Sequence, residues 1–217
     1  MNHLGATMHQ PGAAMKTIVQ RQLAQSIATM QAVLADDAIA DTIVRLSELT
    51  AATMKAGGKL LVAGNGGSAA DAQHLVAEFV GRLVINRPAL RAIALTTDTS
   101  ILTAVGNDFS FDHVIERQVE ALGAPGDVFL GISTSGNSKN ILKAVRLAKQ
   151  MGLTTVGFSG NDGGELARLC DLNVIVPSNV TMNIQEAHLA LEHIFCMLVE
   201  LCYFGPDFAD KPQHLAE

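Results

Sequence analysis

The sequence lacks the features that mark membrane, secreted and nucleic-acid-binding proteins. No uninterrupted apolar run approaches the roughly 18 residues of a membrane-spanning helix, although 48% of the 217 residues are apolar. Residues 1–14 contain neither a basic segment nor a continuous apolar segment, so no secretion signal is expected. A net charge of −6 without any lysine and arginine run argues against nucleic acid as the main partner. These absences predict a cytoplasmic protein with no membrane or nucleic-acid partner.

Cysteine is scarce, and its spacing indicates neither a disulfide framework nor a metal site. The three cysteines, Cys170, Cys196 and Cys202, form an odd number without metal-type spacing, which is typical of free thiols in a reducing cytosol. Two of them lie in an apolar helical pattern, so we expect them to pack in the core.

The periodicity of apolar residues predicts an α/β fold. Apolar residues recur at three- and four-residue steps from Val19 to Leu34 and from Ile39 to Leu49, which predicts two amphipathic helices. Downstream, helical patterns alternate with short apolar runs that are typical of buried strands, at 59–63, 92–95, 128–132, 154–158 and 172–176. This alternation predicts a three-layer sandwich with a five-stranded parallel sheet.

The chain is predicted to form one domain with an appended segment at each end. The regular pattern begins at Met15 and ends near Phe204, so we expect an N-terminal segment 1–14, a domain 15–204 with a helical extension, and a tail 205–217. The last helix begins at about Asn183. Its second half carries few polar residues on any side, so it should be buried all round. We therefore infer a subunit interface, to which the N-terminal helices contribute.

A hydroxyl-rich turn follows the third predicted strand and precedes a helix. It contains four hydroxyl side chains within six residues, Ser133, Thr134, Ser135 and Ser138, together with Gly136, which allows close approach of the backbone. The free N–H groups and the positive dipole end of the helix add to these donors, so the turn suits a phosphate monoester. The alternative is that Ser135 or Ser138 merely caps the helix.

A second loop, Gly64 to Ser68, follows the first predicted strand. It matches neither the dinucleotide fingerprint nor the P-loop, and it can be read as a tight turn capped by Ser68. Both loops nevertheless lie at the carboxyl ends of parallel strands, where α/β sheets bind their ligands. The two loops could therefore hold opposite ends of one substrate.

Two helices carry side chains that are suited to metal binding or proton transfer. His74 and Glu78 are four residues apart and face the same side of a helix, although such pairs are more often surface contacts. Gln185 and His193 are eight residues apart in the last helix, about 12 Å along its axis and roughly 80° around it. One ion can reach both only through extended side chains or through ligands from two subunits. His188, between them, is expected to be a satisfied interface histidine outside the site.

Five motifs together resemble the phosphoheptose isomerase branch of the sugar isomerase (SIS) domain family. They are Asn65-Gly66-Gly67-Ser68, Gln73-His74 with Glu78, Gly106-Asn107-Asp108, Ser133-Thr134-Ser135 with Ser138, and Gln185-Glu186 with His193. The resemblance covers nearly all of the chain from Met15 to Phe204. It implies a flavodoxin-like sheet and a homotetramer with sites between subunits. It also implies conversion of sedoheptulose 7-phosphate to D-glycero-D-manno-heptose 7-phosphate, the first step toward the nucleotide-activated heptose of lipopolysaccharide.

The resemblance also implies a role for each motif residue. The phosphate would be held by Ser133, Thr134, Ser135 and Ser138. The rest of the substrate would be bound by Asn65, Gly66, Gly67, Ser68, Glu78, Asn107, Asp108 and Gln185. One Zn²⁺ per subunit would be held by His74, Glu78, Gln185 and His193, and the acid/base pair would be Glu78 and His193. The segment Thr181-Met182-Asn183 offers no carboxylate, which departs from the pattern expected for an acidic sugar contact there.

The required chemistry agrees with these residue types. Conversion of a ketose to an aldose removes a proton from C1 and returns one at C2 through an enediolate, which needs a base, an acid and stabilisation of negative charge. The main alternative is a SIS protein that binds a phosphosugar without catalysis and associates with the DnaA replication initiator. Such a protein has no use for both Glu78 and His193, so their presence favours an enzyme. A phosphosugar-sensing regulator would need a DNA-binding segment, and none is apparent.

Overall fold

The computed structural model describes residues 11–84 and 86–205. Helices and strands alternate in the order α1 Pro11–Leu34, α2 Asp37–Lys55, β1 Leu60–Ala63, α3 Gly67–Val80, β2 Ala92–Ala94, α4 Thr99–Asp108, α5 Glu116–Leu122, β3 Val128–Ile132, α6 Lys139–Gln150, β4 Thr154–Gly160, α7 Leu166–Leu169, β5 Leu172–Val176 and α8 Thr181–Phe204. The strands predicted from sequence are all present. The predicted segment 1–14 lies largely outside the described residues, as does nearly all of the tail 205–217, so the domain bounds stay a prediction.

The five strands form one parallel sheet in the order β2-β1-β3-β4-β5. This order is flavodoxin-like, so the predicted fold class is confirmed. β1 and β3 are neighbours in register, with Ala63 opposite Gly131 at their carboxyl ends. From β1 the chain continues to one side of the sheet, and after β3 it continues to the other. The carboxyl ends of β1 and β3 are therefore the switch point at which such sheets bind ligands.

Two apolar layers cover the faces of the sheet. Alternate residues of β1 belong to different layers: Leu60 and Val62 pack beneath α2, α3 and α8, whereas Leu61 and Ala63 pack beneath α5 and α6. This alternation follows from the two-residue period of a strand. Because both faces are covered, the central strands are apolar throughout, which explains why the sequence shows them as continuous apolar runs.

Several boundaries differ from those predicted. The helix predicted from about Asp112 to Leu122 is a 3₁₀ turn at Phe111–His113 followed by α5, and β4 continues beyond Phe158 to Gly160. The short helix α7 was not predicted, because its four residues are fewer than a periodic pattern needs. α3 ends at Val80, because the chain turns at Gly81.

Within the single chain the second half of α8 is not buried all round, so its predicted burial depends on the inferred subunit interface and stays a prediction. Leu189, Ile194 and Met197 are exposed by 36%, 42% and 37%. α8 is long and apolar enough to cross a membrane by length and composition alone. The face of α8 that is not exposed, however, packs on α2 and α3. It includes buried His188, Glu192 and Glu200, as in the core helix of a globular domain.

An apolar surface strip runs along α1 and α8. On α1 its exposed members are Met15, Ile18, Val19, Leu23, Ile27, Met30 and Leu34, and on α8 they include Ile194. Between α1, α2 and α8 lies an apolar groove of about 340 Å³, lined in part by Met30, Ile43 and Ile194. We call this surface the α1/α8 strip.

His188 does not face that strip, so its prediction as an interface histidine is wrong. Its side chain is fully buried inside the chain, where its ring packs against Phe158. Nε2 donates a hydrogen bond to the carbonyl oxygen of Ser159, 3.0 Å away, and Nδ1 has no partner among the described residues. Burial lowers the pKa of His188 to about 4, so the ring is neutral in the folded protein.

Candidate active site

The loop between β1 and α3 is shaped by close backbone contacts. α3 begins at Gly67, and Gly66 precedes it with φ +56°, a conformation that favours glycine. A Cβ at Gly67 would overlap the side-chain amide of Gln185, which therefore lies directly against this loop. Ser68 is buried within the first turn of α3, so it is not the residue that caps the turn.

The hydroxyl-rich loop between β3 and α6 packs beneath the loop after β4. Gly136 has φ +65°, and a Cβ there would overlap the carbonyl oxygen of Gly163. The hydroxyls of Ser133 and Ser138 are hydrogen-bonded to each other at 2.9 Å. Ser138 occupies the N-cap position of α6 without making a side-chain capping bond, and Ser135 Oγ accepts from Asn137 N–H. These hydroxyls are therefore not used to cap α6.

A reciprocal amide pair joins the two loops. Asn65 Nδ2 donates to Asn140 Oδ1 at 2.9 Å, and Asn140 Nδ2 donates to Asn65 Oδ1 at 2.8 Å. Asn140 is buried in the first turn of α6 and was not singled out in the sequence. Asn65 thus lies directly after β1, where its amide fixes one loop against the other.

A polar cavity of about 360 Å³ opens beside the hydroxyl-rich loop. Its lining includes Thr134, Ser135, Asn137, Asn161, Asp162 and Thr181. The beginning of α8 therefore reaches the same cavity as the loop after β3. Asp162 supplies a carboxylate here, although the segment 181–183 offers none. Sequence reasoning missed Asn161 and Asp162, because they follow β4 beyond its predicted end.

α3 and α8 bring the predicted acid/base residues together. On α3 the buried residues Leu75 and Phe79 face the core, so His74 and Glu78, each one position earlier, lie at the edge of that face. His193 reaches them from α8, and the reactive atoms of the three side chains lie within 4.8 Å of one another. His74 Nε2 is 2.7 Å from His193 Nε2 and 3.5 Å from Glu78 Oε1. We call these three residues the His-Glu-His cluster.

The cluster fits a zinc ion by its donor types and spacing. Two imidazole nitrogens and a carboxylate are common zinc ligands, and with Zn–N distances near 2.0 Å tetrahedral ligand atoms lie about 3.3 Å apart. The distances of 2.7 Å and 3.5 Å in the cluster bracket this value. The histidine pair must separate slightly to accept an ion.

The remaining predicted residues lie in two places. Gln185 lies in the second turn of α8 against Gly67, whereas its neighbour Glu186 accepts a hydrogen bond from Ser26 of α1. Asn107 and Asp108 are exposed at the end of α4, where Asn107 Nδ2 donates to Asp108 Oδ1 at 2.8 Å. In the described part of the chain, no hydrogen bond joins them to the two loops or to the His-Glu-His cluster.

Two further carboxyl groups lie beside the cluster, Glu192 fully buried and Asp71 partly buried. Asp71 lies one turn before His74 on α3, and Glu192 immediately precedes His193 on α8. Burial and the nearby charge of Asp71 raise the pKa of Glu192 to about 8. Burial also raises the pKa of Asp71, while His74 acts in the opposite direction. The sequence could have indicated both residues, because Asp71 is one turn from His74 and Glu192 is next to His193.

The chain is similar in sequence to proteins of known family. The SIS domain family profile matches residues 22–160, which together with the parallel sheet and its two loops defines the class: the chain belongs to the SIS domain family. It is 53% identical to phosphoheptose isomerase from Burkholderia pseudomallei over 189 residues, which cover 87% of this chain and 96% of that protein. It is 50% identical to phosphoheptose isomerase from Trichlorobacter lovleyi over 191 residues, which cover 88% and 96% of the two chains. Within the SIS domain family, the chain falls among the phosphoheptose isomerases.

Solved structures agree with this assignment. Phosphoheptose isomerase GmhA from Neisseria gonorrhoeae superposes with a TM-score of 0.81 at 42% identity, covering 86% of this chain and 98% of that one. Phosphoheptose isomerase from Francisella tularensis superposes with a TM-score of 0.82 at 34% identity, covering 85% and 97%. Nearly the full length of each relative is thus matched by this chain.

Proposed function

We propose that the chain converts sedoheptulose 7-phosphate to D-glycero-D-manno-heptose 7-phosphate, the first step toward the nucleotide-activated heptose of lipopolysaccharide. The observation that carries this proposal is the meeting of Glu78 on α3 with His193 on α8, whose ligand atoms lie within 4.8 Å of each other. These two residues lie 115 positions apart in the chain, and a protein that only binds a phosphosugar has no need of both. The identity to phosphoheptose isomerases over most of the chain supports the same reaction.

In this proposal the acid/base pair moves one proton between adjacent carbons. The Glu78 carboxylate removes the proton from C1 of the ketose and returns it to C2, while His193 protonates the C2 oxygen as the enediolate forms and takes the proton from the C1 hydroxyl as the aldose forms. Both groups approach the same point from different helices, so one substrate can contact both. The side chain of Glu78 is 19% exposed, which leaves its carboxylate accessible to the substrate.

The two loops hold the substrate in this scheme. Hydroxyls of Ser133, Thr134, Ser135 and Ser138 bind the phosphate, assisted by the positive end of α6. Asn65, Gly66, Gly67 and Ser68 bind the sugar portion, and Gln185 contacts it from α8. Asn107 and Asp108 are also proposed to contact the sugar. Because they lie at the end of α4, either the substrate must extend to them or the end of α4 must move toward the substrate.

We further propose one Zn²⁺ per subunit, held by His74, Glu78, His193 and Gln185. When bound, a divalent ion supplies a Lewis acid that polarises the substrate carbonyl. The donor set of the His-Glu-His cluster supports this assignment. Glu78 is proposed both as ligand and as base, and these roles compete for the same carboxylate oxygens. Turnover therefore requires Glu78 to free one oxygen for the C1 proton.

The proposed assembly is a cytoplasmic homotetramer with active sites between subunits. The α1/α8 strip supports this, because monomeric proteins rarely expose an apolar surface of this extent. α8 also carries Gln185 and His193, so contacts along the strip lie close to the proposed site. Neither nucleic acid nor membrane is proposed as a partner.

Isomerisation can be tested in deuterated water by NMR. Chelator-treated protein is incubated with sedoheptulose 7-phosphate, with and without added zinc, and the aldose signals and deuterium at C2 are followed. We expect zinc-dependent aldose, with deuterium at C2 from solvent exchange of the enediolate. Equal aldose without metal would remove zinc from the proposed chemistry. A folded protein that binds the phosphosugar without forming aldose would instead support the non-catalytic binding protein.

A further inference from the structure

A buried ion pair lies at the C-terminal end of α3. Arg87, in the segment after α3, donates from Nε to Glu200 Oε1 of α8 at 2.5 Å. The side chains of Arg87 and Glu200 are 1% and 0% exposed. Isolated buried charges are costly, so removing either partner would leave the other charge unpaired, and Glu200 Oε2 already has no hydrogen-bond partner among the described residues.

Arg87 also binds the last carbonyl groups of α3. Its Nη2 donates to the backbone oxygen of Glu78 at 2.8 Å, and its Nη1 donates to that of Phe79 at 2.8 Å. Carbonyl groups at a helix C-terminus have no partner within the helix and carry partial negative charge, so a guanidinium satisfies them well. Arg87 therefore holds the backbone of Glu78, the proposed base, by a direct hydrogen bond.

Glu200 lies on the same side of α8 as His193. The two residues are seven apart, which is about two turns and within about 20° around the helix. One guanidinium thus contacts both helices of the His-Glu-His cluster: α3 at Glu78, and α8 two turns beyond His193. The planar fork of arginine can serve the carboxylate and two carbonyls at once, which a lysine ammonium cannot do with the same geometry.

We propose that Arg87 is a positioning residue that sets the distance between Glu78 and His193 by fixing α3 against α8. This rests on the proposed roles of Glu78 and His193. Arg87 touches neither substrate nor metal in this scheme, and it acts only through the backbone of Glu78 and the carboxylate of Glu200.

The test compares Arg87→Lys and Arg87→Met with the wild-type protein, well below their unfolding midpoints. We expect kcat to fall about 10- to 100-fold, more in Arg87→Met than in Arg87→Lys, because a small misplacement of reacting groups has an effect of this size. KM should change less than about threefold, because the two substrate loops are untouched. Zinc affinity, measured without substrate by competition with a chromophoric chelator, should fall about tenfold.

A second pair of variants tests the α8 side of the contact. Glu200→Gln keeps an oxygen that can accept from Arg87 Nε, whereas Glu200→Ala removes it. We expect Glu200→Gln to retain more of kcat and of zinc affinity than Glu200→Ala. Should Arg87→Met fail to fold, Arg87→Lys and the two Glu200 variants decide the question.

Lys59→Met is the matched control for stability. It breaks the ion pair between Lys59 and the buried Asp127, 2.5 Å apart, just before β1 and β3, a pair that includes no residue of α3 or α8. We expect it to lower the unfolding midpoint while keeping kcat and zinc affinity. Arg87 variants that lose only stability, as this control does, would overturn the proposal.

These experiments distinguish failure of the positioning role of Arg87 from failure of the proposed isomerase reaction. If wild-type protein is active and Glu78→Gln is not, unchanged kcat and zinc affinity in Arg87→Lys contradict the positioning role alone. If wild-type protein forms no aldose, the proposed reaction fails, and the zinc affinity of Arg87→Lys still tests whether Arg87 positions the His-Glu-His cluster.

Discussion

At the scale of single residues, the carboxylate of Glu78 has the most demanding proposed role, because it must both remove a proton and hold a metal. The Glu78→Gln variant keeps the shape of the side chain, but its amide cannot accept the proton. We expect turnover to fall by about 10²- to 10⁴-fold without change in assembly. The aldose assay and size-exclusion chromatography check these two results, and near-normal turnover would remove Glu78 from the mechanism.

His188 gives a pH-dependent prediction that is independent of the site. Its pKa is lowered from 6.5 to about 4, so between these values the unfolded chain binds a proton that the folded chain does not. Stability that is present above pH 6.5 is therefore lost as the pH falls toward 4.

The His188→Gln variant does not titrate and keeps an N–H donor for the carbonyl of Ser159. Between pH 7 and pH 5 we expect wild-type protein to lose about 2 kcal/mol more of its unfolding free energy than this variant. Urea unfolding of chelator-treated protein at both pH values measures the difference. Equal losses in the two proteins would mean that His188 is not held neutral by burial.

At the scale of elements, the site depends on how loops and helices are fixed to one another. The reciprocal pair between Asn65 and Asn140 joins the β1–α3 loop to the first turn of α6. Asn140→Ala and Asn65→Ala should each raise KM for the phosphosugar, because the two ends of the substrate are then held by loops with less fixed spacing. Asn65→Ala should have the larger effect, since Asn65 is also a proposed sugar contact.

A double-mutant cycle checks that the two amides act together. The double variant should lose less free energy than the sum of the two single variants, because each single change already removes both hydrogen bonds. Strict additivity in the unfolding free energies would contradict the coupling of the loops through this pair.

At the scale of the whole molecule, the α1/α8 strip is the surface that a single chain leaves without a covering layer. Ile194→Asp places a charge in the groove of this strip and should shift the proposed tetramer to smaller species, with loss of isomerase activity. Leu122→Asp is the matched control, because Leu122 is 39% exposed at the end of α5 on the other face of the sheet. Light scattering measures the assembly of both variants. Unchanged assembly in Ile194→Asp would exclude the strip as the interface.

The sequence predicted the fold class and the positions of the two loops that follow β1 and β3. The alternation of strand and helix patterns specifies a parallel sheet, because crossover connections are short and right-handed. The position of the hydroxyl-rich turn after β3 follows from the same pattern. Boundaries were less accurate where a short element such as α7 is held by packing and has too few residues for a period of its own.

By itself, the sequence determined which residues share a face of each element and which loops follow the central strands, because these depend on the local periods of helices and strands. Only the tertiary structure decided which element covers each face. It brought His74 within 2.7 Å of His193, placed Arg87 between Glu78 and Glu200, and buried His188 against β4. These contacts join residues far apart in the chain, so they depend on how the helices pack on the sheet and not on any local pattern.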